Sequence, residues 1–118
     1  MSQPIVYETQ RVRRDGEFDL EFSGILLASH MYEPEGSIRW TEVDLYATES
    51  KKFVAVVRFG SSKRASVQSF AKVCETPEEV VAWMKGDRDR IGIAAKRVLE
   101  TANSRYPSLF PFRPFERV

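Results

Sequence analysis

The sequence holds one cysteine and one histidine in 118 residues. A single thiol excludes an internal disulfide, and so sparse a set of soft ligands leaves little from which to build a zinc site. No His-x-x-His, Cys-x-x-Cys or Glu-x-x-His spacing occurs. The six glycines stand alone at positions 16, 24, 36, 60, 86 and 92, so neither a Gly-x-Gly-x-x-Gly fingerprint nor a Gly-Lys-Ser/Thr phosphate loop is present. Long apolar runs are also missing. Gly24–Ala28 and Phe53–Val57 fall far short of the ~20 residues that a spanning helix requires, and Met1–Arg14 lacks the apolar centre of a signal peptide. Charge of one sign is scarce too: 18 basic residues face 17 acidic ones, for a net +1, and no run of five like charges occurs. These absences exclude a disulfide scaffold, a strongly acidic nucleic-acid mimic and a basic arm. They predict a soluble, cytoplasmic protein with no cofactor, no metal and no membrane partner.

What is present is an ordinary globular composition, 42% hydrophobic, on a chain long enough to bury roughly two-thirds of its extended surface around one core. The pattern along it predicts an N-terminal arm at 1–16, a single α+β domain at 17–106 and an extended Pro/Phe-rich tail at 107–118. Alternation of apolar and polar residues predicts four strands: Phe18 to His30, with a bend or bulge at Gly24, then Ile38 to Thr48, Lys52 to Phe59 and Ala65 to Cys74. Their short connections favour an antiparallel meander. The arm reads as either a short edge strand or a disordered end.

The period then changes. Thr76-Pro77-Glu78-Glu79 has the residues of a capping box with Pro at the first helical position, and Gly86 is placed to end that helix. Ile91, Ala94, Ala95, Val98, Leu99 and Ala102 recur at helical spacing and predict a second helix to about Ser104. Strands first and helices afterwards place both helices on one face of the sheet.

Alternation assigns Phe53, Ala55, Val57 and Phe59 to the helix face, with Val43, Leu45, Val67, Ala71 and Val73. The opposite face then carries Trp40, Glu42, Asp44, Tyr46, Val54, Val56, Gln68, Phe70 and Lys72. That set is too apolar to stay bare. Its covers are the tail with Phe110, Phe112 and Phe115, the N-terminal arm, or another chain, a homodimer included. Trp40, Tyr46, Val54, Val56 and Phe70 are therefore candidate residues of a protein-binding face.

The meander also collects His30, Glu33, Glu35, Arg39, Arg58, Ser61, Ser62, Lys63 and Arg64 at one end of the sheet. Gly60-Ser61-Ser62-Lys63-Arg64 has the composition of an anion-binding turn, with backbone N–H groups, hydroxyls and cations together. Such a rim suits an acidic partner or a phosphate backbone with a neighbouring aromatic to stack. Against that stands the near-neutral net charge. Arg88, Arg90, Lys96 and Arg97 form a second basic group, diluted by Asp87 and Asp89.

Catalytic readings fare worst. His30 and Cys74 fall at opposite ends of the sheet, which argues against a dyad, and Cys74 reads more simply as a small buried residue. Glu42 and Asp44 share a strand face, and alternating acids opposite a lysine account for them without acid–base work. The expectation is a non-enzymatic interaction protein (an adaptor, regulator or inhibitor) that binds a protein partner through the apolar face or the basic rim. The alternative is a nucleic-acid-binding module built on Lys63 and Arg64 with the neighbouring aromatics.

Overall fold

The computed structural model describes residues 5–88, 90–114, 116 and 118, and the side chains of Arg64 and Ala65 lie outside that description. The chain forms β1 (Glu8–Val12), β2 (Leu20–Tyr32), β3 (Arg39–Thr48), β4 (Phe53–Ser61), β5 (Arg64–Cys74), α1 (Pro77–Lys85) and α2 (Ile93–Arg105). The strands make one antiparallel sheet in the order β1-β2-β3-β4-β5. The α+β class and the meander are as expected, but there are five strands rather than four. The extra strand comes from the N-terminal arm, which pairs with β2 from Glu8↔Gly24 to Val12↔Leu20. The reason lies in β2 itself. Its thirteen residues outrun β3, which pairs with it only from Gly24 onward, and the unpaired N-terminal stretch needs another ladder to satisfy its backbone.

Beyond β1 the arm reaches across to the far edge. Asp15 donates its N–H to the Ser69 carbonyl (2.8 Å), the Asp15 carboxylate accepts from the Ser69 N–H (3.0 Å), and the Ser69 hydroxyl donates to the Arg13 carbonyl (2.7 Å). The Arg13 guanidinium also reaches the Val67 carbonyl. These bonds draw the first and last strands together and curl the sheet. The irregularity expected at Gly24 falls later, between Leu26 and Ala28, where both Leu27 and Ala28 enter the core; a bulge of this kind adds local twist.

Two cores result. Against the helices lie Leu27, Val43, Leu45, Phe53, Ala55, Cys74, Val80, Val98 and Leu99. Inside the curl lie Val12, Val54, Val56 and Ala71, with Leu20, Phe22 and Tyr46 packed beside them. The arm is thus the cover of the second face.

Register corrects the face assignment of the last strand. Val54 pairs with Val73, Val56 with Ala71 and Val57 with Phe70, and directly opposed residues share a face. Val67, Ala71 and Val73 therefore face the curl, while Gln68, Phe70 and Lys72 face the helix side. Apolar residues stand on both parities of this strand, so alternation alone could not orient it.

α1 begins as its sequence predicts. Thr76 Oγ1 accepts the Glu79 N–H (3.2 Å), Glu79 reaches back to the Glu75 N–H (2.9 Å), and Gly86 ends the helix at φ 62°, a left-handed value that glycine adopts without strain. Past α2 the chain turns at 107–109, where the Leu109 and Phe110 N–H groups both donate to the Tyr106 carbonyl. Phe110 is then fully buried, edge-on to Phe53 at 5.5 Å between ring centroids, and its carbonyl accepts from Asn103 (3.0 Å). The tail so anchored belongs to the helix-side core and does not cover the opposite face. Phe115 lies outside the described residues.

Candidate functional site

The apolar sheet face expected to dock a partner is filled. Val54 and Val56 are 1% and 0% exposed, beneath Val12. Tyr46 is half-buried against the edge of Phe22 at 5.3 Å; burial pushes its phenol upward, and the charge of Asp44 adds to that. Trp40 lies across Gly60 so closely that a Cβ there would stand 2.1 Å from its ring, which is why the strand carries glycine at that rung. Phe70 is on the other side of the sheet.

The curl also reassigns Arg58. Its Nη1 lies 2.7 Å from Asp44 and 3.0 Å from Glu42, and Ser29 donates its hydroxyl to the same Asp44. The cluster ties β2, β3 and β4 together. Asp44 is 4% exposed, and burial pushes its carboxyl upward, with the Ser29 hydrogen bond and Arg58 pulling back only in part. For the guanidinium, burial works downward, but the hydrogen bond to Glu42 and the two carboxylate charges outweigh it and leave it raised. Arg58 is thereby committed to its own acids and adds nothing to a basic rim.

The rest of the rim separates as well. Arg39 stands opposite Ser61, and Arg39, Ser62 and Lys63 are exposed. Two of the turn's amides, however, are already used: the Ser62 N–H donates to the Ile38 carbonyl (2.8 Å) and the Lys63 N–H to the Ser61 hydroxyl (3.2 Å). A nest of free donors for phosphate is not what this turn offers. His30 is half-buried opposite Val43, several rungs from the turn. Cys74 is fully buried, and burial, with Glu79 nearby, pushes its thiol up to about 11.

A groove that alternation could not show lies on the helix side. A nine-residue helix is about 13 Å long, whereas the nine residues of β4 extend for about 30 Å. α1 sits at the Cys74 end and leaves the far ends of β4 and β5 uncovered. There Phe59 and Phe70 are 42% and 41% exposed, edge-to-face at 6.2 Å. Between this end of the sheet and the α1–α2 link opens a groove of about 400 Å³, with Tyr32, Thr41 and Phe59 on one side and Arg88, Ile91 and Ile93 on the other. Past Thr41 and Phe59 it continues into a polar hollow of about 530 Å³ walled by Arg39, Ser61 and Gln68. Phe59 was assigned to the core by its parity; the lengths of strand and helix were the signal that it would stand clear.

Among the described residues no group of three or more His, Cys, Asp or Glu side chains could hold a metal ion, and no helix is long and apolar enough to cross a membrane. No family model matches this chain, and no curated protein or solved structure matches it.

Proposed function

We propose that this chain is a non-enzymatic interaction protein, an adaptor, regulator or inhibitor, that holds a segment of a partner protein in the groove over Tyr32, Thr41 and Phe59. The observation that carries the reading is the pair of large aromatic rings, Phe59 and Phe70, left open to water in mutual contact at the mouth of a preformed groove. Exposed aromatic area of this kind is what binding interfaces concentrate. The test is crosslinking in the native host followed by purification of the full chain. Wild type retains a partner that Phe59→Ser/Phe70→Ser, with an unchanged melting profile, loses at least tenfold; equal retention by both proteins refutes the groove as the binding surface.

A second reading rests on Arg88 and Arg39, which line the two hollows that meet at Phe59, as cations flank stacking platforms for single-stranded nucleic acid. It predicts retention on an oligonucleotide that falls steeply with salt. Lys63, expected at the centre of such a module, is not in this groove's lining, and the Arg64 side chain lies outside the described residues.

A further inference from the structure

We propose a second binding site, which adjoins the groove over Phe59 at Arg90 and Ile91: the cleft between α1, α2 and the C-terminal segment takes an acidic stretch of polypeptide with an apolar side chain at its centre. Four cations from separate parts of the chain converge there, Lys85 at the end of α1, Arg90 in the link, Lys96 in α2 and Arg113 after the tail's anchor. One acid, Glu116, lines the same cleft. Among the described residues none of the four cations is in an ion pair, whereas Arg11, Arg13, Arg14, Lys52 and Arg58 all have carboxylate partners. Among the described residues the cleft therefore carries more positive than negative charge, and a cleft lined mainly by one sign of charge over apolar walls focuses that field on whatever enters.

Its size and floor say what enters. The cleft holds about 470 Å³, room for one or two side chains, and its floor includes Leu99 and Phe112. Phe112 is itself packed against Phe110 at 6.0 Å, so the floor offers an aliphatic seat with one committed ring rather than a row of free rings on which bases stack. An aliphatic seat ringed by cations matches a leucine or phenylalanine flanked by glutamates or aspartates. The tail completes the site: anchoring Phe110 in the core brings Arg113 over α2, so a group that sequence alone leaves as four scattered charges becomes one surface.

The test measures anisotropy of a fluorescein-labelled twelve-residue peptide, Leu-Phe at its centre and Glu on both sides, with the full-length chain at low salt. The expected result is saturable binding that weakens at least tenfold in Lys96→Glu/Arg113→Glu and less strongly, in the same direction, in Lys96→Gln/Arg113→Gln. Both replaced side chains, Lys96 and Arg113, stand at exposed positions, and a thermal melt checks each fold. Replacing every Glu of the peptide by Gln, or the central Leu-Phe by Ser-Ser, weakens binding by a similar factor. Phe59→Ser and Lys63→Glu leave it unchanged, which separates this site from the groove proposed above. Undiminished binding in both cleft variants overturns the proposal, as does equal affinity for the Gln peptide. A single-stranded oligonucleotide that binds more tightly and competes at the same cleft overturns it in favour of a nucleic-acid ligand.

Discussion

Replacing Arg58 by methionine removes the guanidinium and keeps an apolar stem of similar length. Asp44, 4% exposed, then keeps the Ser29 hydroxyl as its partner and has Glu42 as a like-charged neighbour. Breaking a buried ion pair from one side costs about 3–5 kcal/mol, because the remaining charge stays desolvated. The Arg58 side chain is still 27% exposed, so water softens the loss and the lower end, about 3 kcal/mol, applies. For a chain of this size that corresponds to a fall in Tm of roughly 12 °C.

The pH dependence follows from the sign of the Asp44 shift. Burial raises the folded-state carboxyl above its unfolded value, so between the two values the folded protein binds more proton and stability falls as pH rises. Above that window the desolvated charge is a constant cost. In Arg58→Met the opposing pull of the guanidinium is gone and the window extends upward. The gap between variant and wild type, followed by urea denaturation at constant ionic strength, therefore narrows as pH is lowered from 7 toward 4. Adding Asp44→Asn to Arg58→Met restores much of the stability at pH 7, with a coupling of about 2 kcal/mol in the double-mutant cycle. A loss under about 1 kcal/mol, unchanged with pH, would be the behaviour of a surface pair and would refute a buried cluster.

Two further outcomes are expected. Phe110→Ala, which empties a fully buried position in contact with Phe53, costs about 3–5 kcal/mol in chemical denaturation; a loss below 1 kcal/mol would show that the tail is not part of the core. Cys74, with its thiol at about 11, stays protonated near neutral pH and reacts with a disulfide reagent far more slowly than the same thiol in urea, so equal rates in the folded and unfolded chain would contradict its burial.

What the sequence disclosed, and where it failed, follows from how local each signal is. The start of α1 was legible to the residue because a capping box is settled within four positions, Thr76 to Glu79. The hairpins were legible because their turns are short. The role of the arm was not, since Asp15 and Ser69 are joined across most of the sheet and no local period records such a bond. Phe70 was put on the wrong face because Val67, Ala71 and Val73 on one parity compete with Phe70 and Cys74 on the other, and register with β4 decides between them. Arg58 was legible as a cation but not as a neutralised one; that required knowing it stands opposite Glu42.

The same topology explains where a near-neutral chain keeps its usable charge. Residues 1–59 carry seven basic and ten acidic groups, and residues 60–118 eleven and seven. Because the strands come first and the helices last, this division along the chain becomes a division across the molecule. Several acids of the first half are paired within the sheet: Glu42 and Asp44 hold Arg58, Glu21 holds Arg11 and Asp15 clasps Ser69. Glu78 and Glu79 sit at the N-terminus of α1, where they complement its dipole, at the opposite end of that helix from Lys85. The cations of the helix side thus face solvent with few acids of their own. On the proposal of an acidic ligand at the α1–α2 cleft, the field of that side steers it only at close approach, since the Debye length at physiological salt is about 8 Å. Association on that side should accordingly weaken with added salt, while the Phe59 groove, governed mainly by apolar contact, should respond far less.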